Sequence, residues 1–127
     1  MATIRIDSDQ FIVDSIKRNA LQTHMVDNFD LLVTDRVSDI PAKVKNLVKN
    51  TAGAAFLEGA KCKFIVFKAK NEKGAAEESK MKIAKFIKTV FFIGEESSFG
   101  IEDVPRVVDG EGEAGKTYFF VKLEMVK

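Results

Sequence analysis

The C-terminal stretch Lys116–Lys127 constrains the fold of this 127-residue chain more than any other segment. Its side chains alternate with the period of two that marks a β-strand. One parity, Thr117, Phe119, Val121, Leu123 and Met125, is fit for a core. The other, Lys116, Tyr118, Phe120, Lys122 and Glu124, sets two aromatic rings among lysines on the side expected to meet water. A strand of this kind needs neighbouring strands and a layer to cover its apolar face.

The rest of the chain supplies both. Ala2–Ile6 alternates like a short first strand. Asp7 and Ser8 are helix-capping residues, and Phe11, Ile12, Ile16, Ala20 and Leu21 recur at helical spacing after them. Met25, Phe29, Leu32 and Val33 keep that spacing, so the helix continues or breaks near Asn28. Ser38-Asp39-Ile40-Pro41 starts a second helix that buries Val44, Leu47 and Val48 and ends at Asn50-Thr51-Ala52-Gly53. Ala54–Leu57 suits a further turn. Lys61–Lys70 is a β-type run and Asn71–Ser79 a polar loop. Lys80–Ile93 reads as a strand closing a hairpin with Lys61–Lys70, although Ile83, Phe86, Ile87, Val90 and Phe91 also fit one helical face. Residues 94–115, acidic and holding five of the eight glycines, read mainly as loop. The expectation is a single α+β domain over residues 1–127, a helical N-terminal half packed on a C-terminal antiparallel sheet, and not a standard oligonucleotide-binding barrel.

At 46% hydrophobic and 31% charged, the chain has the composition of a folded domain rather than a disordered or membrane-embedded one. Its lone cysteine, Cys62, forms no intrachain disulfide, which fits a reducing cytoplasm. The N-terminus lacks an apolar core of signal-peptide length, and Val90–Ile93 is too short to span a bilayer. The net charge of +1 conceals blocks: residues 61–88 carry 9 lysines and 3 glutamates, and residues 89–115 carry 7 acids and one arginine. Such asymmetry suits electrostatic choice of partner, and equally a solvated surface on which the two blocks neutralise each other.

Catalytic constellations are weak. His24, the only histidine, has no evident acid or base partner and reads as structural; Cys62 reads as a small buried hydrophobe. These two residues make no zinc site without carboxylate help. The glycines at 110 and 112 are interleaved with glutamates, which would repel a phosphate. The acids of residues 94–115 lack calcium-loop spacing. No enzyme, cofactor or metal is expected.

A binding face is the better reading. Splitting each β-type segment by parity leaves Lys61, Lys63, Ile65 and Phe67 outward in the first, with Cys62, Phe64 and Val66 inward. It leaves Lys80, Lys82, Phe86 and Lys88 outward in the second, with Met81, Ile83, Ile87 and Phe91 inward. In the third, Lys116, Tyr118, Phe120 and Lys122 point outward. Ammonium groups follow phosphates and rings stack bases whatever the sequence, so the combination suits single-stranded DNA. The candidate contacts are Lys61, Lys63, Phe67, Lys82, Phe86, Lys88, Lys116, Tyr118, Phe120 and Lys122. Two other arrangements fit the same pattern. The outer rings form a second buried face under the N-terminal helices with lysines snorkelling at its rim, or they form an oligomer interface.

Ile101-Glu102-Asp103-Val104-Pro105, the glycine-rich acidic segment after it, and Lys116-Thr117-Tyr118-Phe119-Phe120-Val121-Lys122-Leu123 together resemble part of some bacteriophage single-stranded-DNA-binding proteins. There an acidic-Val-Pro turn and glycines precede a basic aromatic strand. The whole also resembles the small early proteins of phages related to N4, which pair single-strand binding with a phage RNA polymerase. The resemblance implies a viral transcription or replication accessory factor in the host cytoplasm, with an RNA polymerase or similar machine as partner. It supplies no site residues. The expected function is sequence-tolerant single-stranded-DNA binding by a homo-oligomer, since a sheet that ends in an exposed strand invites edge pairing. The alternative is a protein-binding inhibitor or cofactor module that uses the same face, and the acidic segment could hold a protein partner or occupy the basic groove when no DNA is bound.

Overall fold

The computed structural model describes residues 4–58, 62–70, 76–94, 97–109 and 116–126. In chain order they form β1 (Ile4–Ile6), α1 (Val13–Gln22), β2 (Phe29–Thr34), α2 (Ala42–Ala52), β3 (Cys62–Ala69), α3 (Ala76–Val90), β4 (Arg106–Asp109) and β5 (Lys116–Met125), with short 3-10 turns between them. The fold is α+β: three helices around an open, mixed five-stranded sheet ordered β1-β5-β3-β2. β3 runs antiparallel along one edge of β5. The other edge is shared: β4 pairs antiparallel with Lys116–Phe119, and β1 pairs parallel with Leu123–Met125. β5 is therefore an interior strand and not the exposed end of the sheet. The strand at the open side is β2.

Both sheet faces are covered. On one, α1 and α3 bring Ile16, Ala20, Ile83, Phe86 and Ile87 onto Phe29, Ile65, Phe67, Phe119, Val121 and Leu123. On the other, α2 and the turn at Ala54–Leu57 bring Val44, Val48, Phe56 and Leu57 onto Phe64, Val66, Val107 and Phe120. The two parities of β5 thus feed two cores. This overturns the outward placement of Ile65, Phe67, Phe86 and Phe120. Phe67 and Phe120 are 0% exposed and Phe86 4%. Burying a phenylalanine removes 150–250 Å² of surface from water, and a chain with a helix for each face covers both.

Local structure departs from the sequence expectation over Lys80–Ile93, after α1, and at Arg106–Asp109, where a strand stands inside the segment expected mainly as loop. Lys80–Ile93 is mostly helix, not strand. As a helix, Ile83, Phe86, Ile87, Val90 and Phe91 share the side turned to the core, whereas a strand would split them between faces. Met81, placed inward by the strand reading, is 58% exposed. The helix begins at Ala76, inside the segment expected as loop, with Glu77 and Glu78 in its first turn, where negative charge suits the helix dipole. The second departure follows α1. His24, at φ 62°, stops the helix, and after the turn Met25–Asp27 the chain re-enters as β2. Phe29 and Val33 then serve the α1 side and Leu32 the α2 side, which a helix could not arrange. By contrast α2 starts directly after Pro41 and ends at Gly53, whose φ of 92° favours glycine.

Candidate functional site

The ten residues expected to meet DNA do not share one surface. Phe67 and Phe86 pack edge to face, their centroids 6.1 Å apart, and Phe29 stands edge-on to both Phe67 and Phe119 at 5.9 and 6.1 Å. Phe120 lies under α2 and Tyr118 is half-buried against the same core. Lys122 is held in place: its Nζ donates to the carbonyls of Ala55 and Glu58 at 3.2 and 3.3 Å and lies 5.7 Å from the Phe56 ring centre. Lys63 donates to the Asp35 carbonyl at 3.3 Å. Lys116 is exposed on β5. Lys61 lies outside the described residues. Among the described residues of the set, only Lys82 and Lys88 come together at one surface, and they meet residues that the strand reading of this segment did not select.

Those residues line a groove of about 810 Å³ between the outer side of α3 and residues Gly100 and Ile101. Met81, Phe92, Ile93 and Ile101 give it apolar surface, and Lys82, Lys85 and Lys88 give it charge. From Lys82 to Lys88 the helix advances about 9 Å, so the three ammonium groups address successive anionic groups rather than one. Lys82 also faces Glu78 at 3.9 Å, a solvent-exposed pair of little strength.

Phe92 is the anomaly of the site. It follows α3 with φ 55°, and the residue is 90% exposed. The Ile93 N–H donates to the Lys88 carbonyl at 2.8 Å and the Phe92 N–H to the Thr89 carbonyl at 3.4 Å. This is the Schellman closure of a helix, in which the left-handed position is usually glycine. A side chain there costs roughly 1–2 kcal/mol, and this one also leaves a large apolar ring in water. The helical reading of residues 80–93 would have found it. Once Ile83, Phe86, Ile87, Val90 and Phe91 take the core side, Met81, Lys85 and Phe92 are left outside.

Elsewhere several polar groups are tied into the fold. Asp103, buried in the turn before β4, accepts from the Gly100 N–H at 2.9 Å. Lys43 on α2 reaches Asp109 on β4 at 2.8 Å, and that hydrogen bond, with the carboxylate's charge behind it, raises the lysine pKa above its usual 10.5. His24 is exposed beside Asp27 at 3.4 Å, and Cys62 is half-buried. Among the described residues no cluster of His, Cys, Asp and Glu could hold a metal, and no helix is long and apolar enough to cross a membrane. No family model, curated protein or solved structure matches the chain.

Proposed function

We propose that the protein binds single-stranded DNA without regard to sequence, through the α3 groove rather than the sheet. The observation that carries the reading is Phe92: an aromatic ring held in water, in a backbone conformation that disfavours it, at the end of a row formed by Lys82, Lys85 and Lys88. Strain of this kind concentrates at functional positions. A ring that stacks a base, with lysines that take the neighbouring phosphates, is the minimal single-strand site. Lys82 and Lys88 keep the role expected of them. Phe67, Phe86 and Phe120 have no place in it, because their rings are inside.

The test is fluorescence anisotropy with labelled oligonucleotides over a salt series. Single strands bind, and the logarithm of affinity falls linearly with the logarithm of salt, by about 0.7 per phosphate contacted. Salt-independent binding, or equal preference for duplex, sinks the reading. A second reading is favoured by Met81, an adaptable side chain exposed in the same groove: docking of an acidic amphipathic segment from a protein partner. An acidic helical peptide that displaces nothing, while oligonucleotides perturb the Met81 and Phe92 signals, decides for DNA.

A further inference from the structure

The open edge of β2 has the properties of an interface. It is six residues long against three for β1 and four for β4. Its register with β3 runs unbroken from Phe29↔Ala69 to Thr34↔Phe64. The Lys70 N–H donates to the Asn28 carbonyl at 2.9 Å, which sets the phase of the ladder. Asp30, Leu32 and Thr34 therefore turn their backbone groups to β3, and Phe29, Leu31 and Val33 turn theirs away from it. Among the described residues nothing pairs with those outward groups. Edge strands usually carry lysine, proline or a bulge that discourages pairing. β2 has none of these, and its one charge, Asp30, lies 3.7 Å from Lys70, the residue just past β3.

Next to this edge, between α1 and β2, lies a pocket of about 280 Å³ lined by Ala20, Val26, Phe29 and Leu31, with Lys17 and Asp30. Leu31 is incompletely buried there. An unpaired ladder of this length is a template for another strand, and the apolar pocket beside it suits apolar side chains from that strand.

We propose that the occupant is β2 of a second copy, paired antiparallel about a two-fold axis at Leu31. The outward-facing positions 29, 31 and 33 are symmetric about 31, so the strand is its own complement. Phe29 falls opposite the second copy's Val33, Leu31 falls opposite itself, and each such pair exchanges two hydrogen bonds. Asp30 falls opposite Leu32, so no like charges oppose each other. The two Leu31 side chains meet beside the two pockets. The axis stands normal to the sheet, and the two copies form one continuous sheet with the α1 and α3 layers on the same side. The inference is independent of what the α3 groove binds.

Sedimentation over a dilution series tests it, together with amide hydrogen exchange on the unaltered chain. The expected species has twice the 14.1 kDa chain mass. The Leu31 and Val33 amides are protected in it and exchange faster as dilution dissociates it. Leu31→Glu and Leu31→Lys each give a monomer, and mixing the two restores the dimer, because position 31 meets itself. A chain that stays monomeric at every concentration overturns the proposal. So does a dimer that survives both substitutions, or one in which the Leu31 and Val33 amides exchange freely. If a variant fails to fold, exchange on the unaltered chain still decides.

Discussion

Phe92 occupies a backbone conformation that glycine adopts at less cost. Phe92→Gly is therefore expected to stabilise the fold, by up to about 1–2 kcal/mol as the left-handed strain is relieved. The same change should weaken single-strand binding by roughly 1–3 kcal/mol, the worth of one stacked base. Chemical denaturation and anisotropy on one preparation read both, and a variant that loses stability without losing affinity refutes the assignment. The buried rings should behave in the opposite way. Phe119→Ala and Phe120→Ala are each expected to destabilise by about 3–5 kcal/mol, since both side chains are 0% exposed on opposite faces of β5. Little loss at Phe120 would mean that α2 does not cover it. The parity of β5 was legible from its residues. Which parity meets water was not, because Tyr118 and Phe120 make a good stacking surface and an equally good core surface. Only the presence of α2 above them decides.

Among the elements, α3 carries the proposed site, and on that proposal its lysines set how binding responds to salt. Lys82→Gln, Lys85→Gln and Lys88→Gln should each reduce the steepness of the salt dependence by about 0.7 for every phosphate left without its ammonium group, with melting temperature nearly unchanged. An unaltered slope in the triple variant removes these lysines from the interface. α2 is tied to β4 by Lys43 and Asp109. The lysine pKa is raised in the fold, first by the hydrogen bond and then by the carboxylate's charge. Its contribution is therefore complete below the unfolded pKa, near 10.5, and is lost as pH rises through the folded value. Lys43→Met should melt slightly below the parent at neutral pH, and the gap should close in strong alkali. A gap that persists there points to packing of the lysine stem instead. The boundaries of α2 were legible because Pro41 and Gly53 punctuate it. α3 was harder to read, since its lysines alternate with apolar residues over Lys80–Ile83 in a way that imitates a strand. β2 was missed because Phe29, Leu32 and Val33 also fit the spacing of the helix before it.

At the scale of the molecule, the α+β class and the strands at both chain ends could be read from hydrophobic period alone. Pairing could not. Period two says that Ile4–Ile6 is extended, but not that it lies parallel to Leu123–Met125 more than a hundred residues away. Pairings of that separation carry a loop-closure cost that must be met before the contact gives anything back. β1, β3 and β4 all pair with β5. Ending the chain before Lys116 should therefore abolish the fold rather than trim it, leaving a circular dichroism signal without a cooperative melt. A truncated chain that still melts sharply would mean that the helices and β2–β3 suffice. The same arrangement governs how the protein is made. β5 is the last of the five strands to leave the ribosome. Until it does, β2 and β3 are the only strands with a partner, and an isolated pair is marginal in water. Until Lys116–Met125 has emerged, the sheet lacks the strand to which β1, β3 and β4 all pair, and their apolar surfaces have nothing to close on.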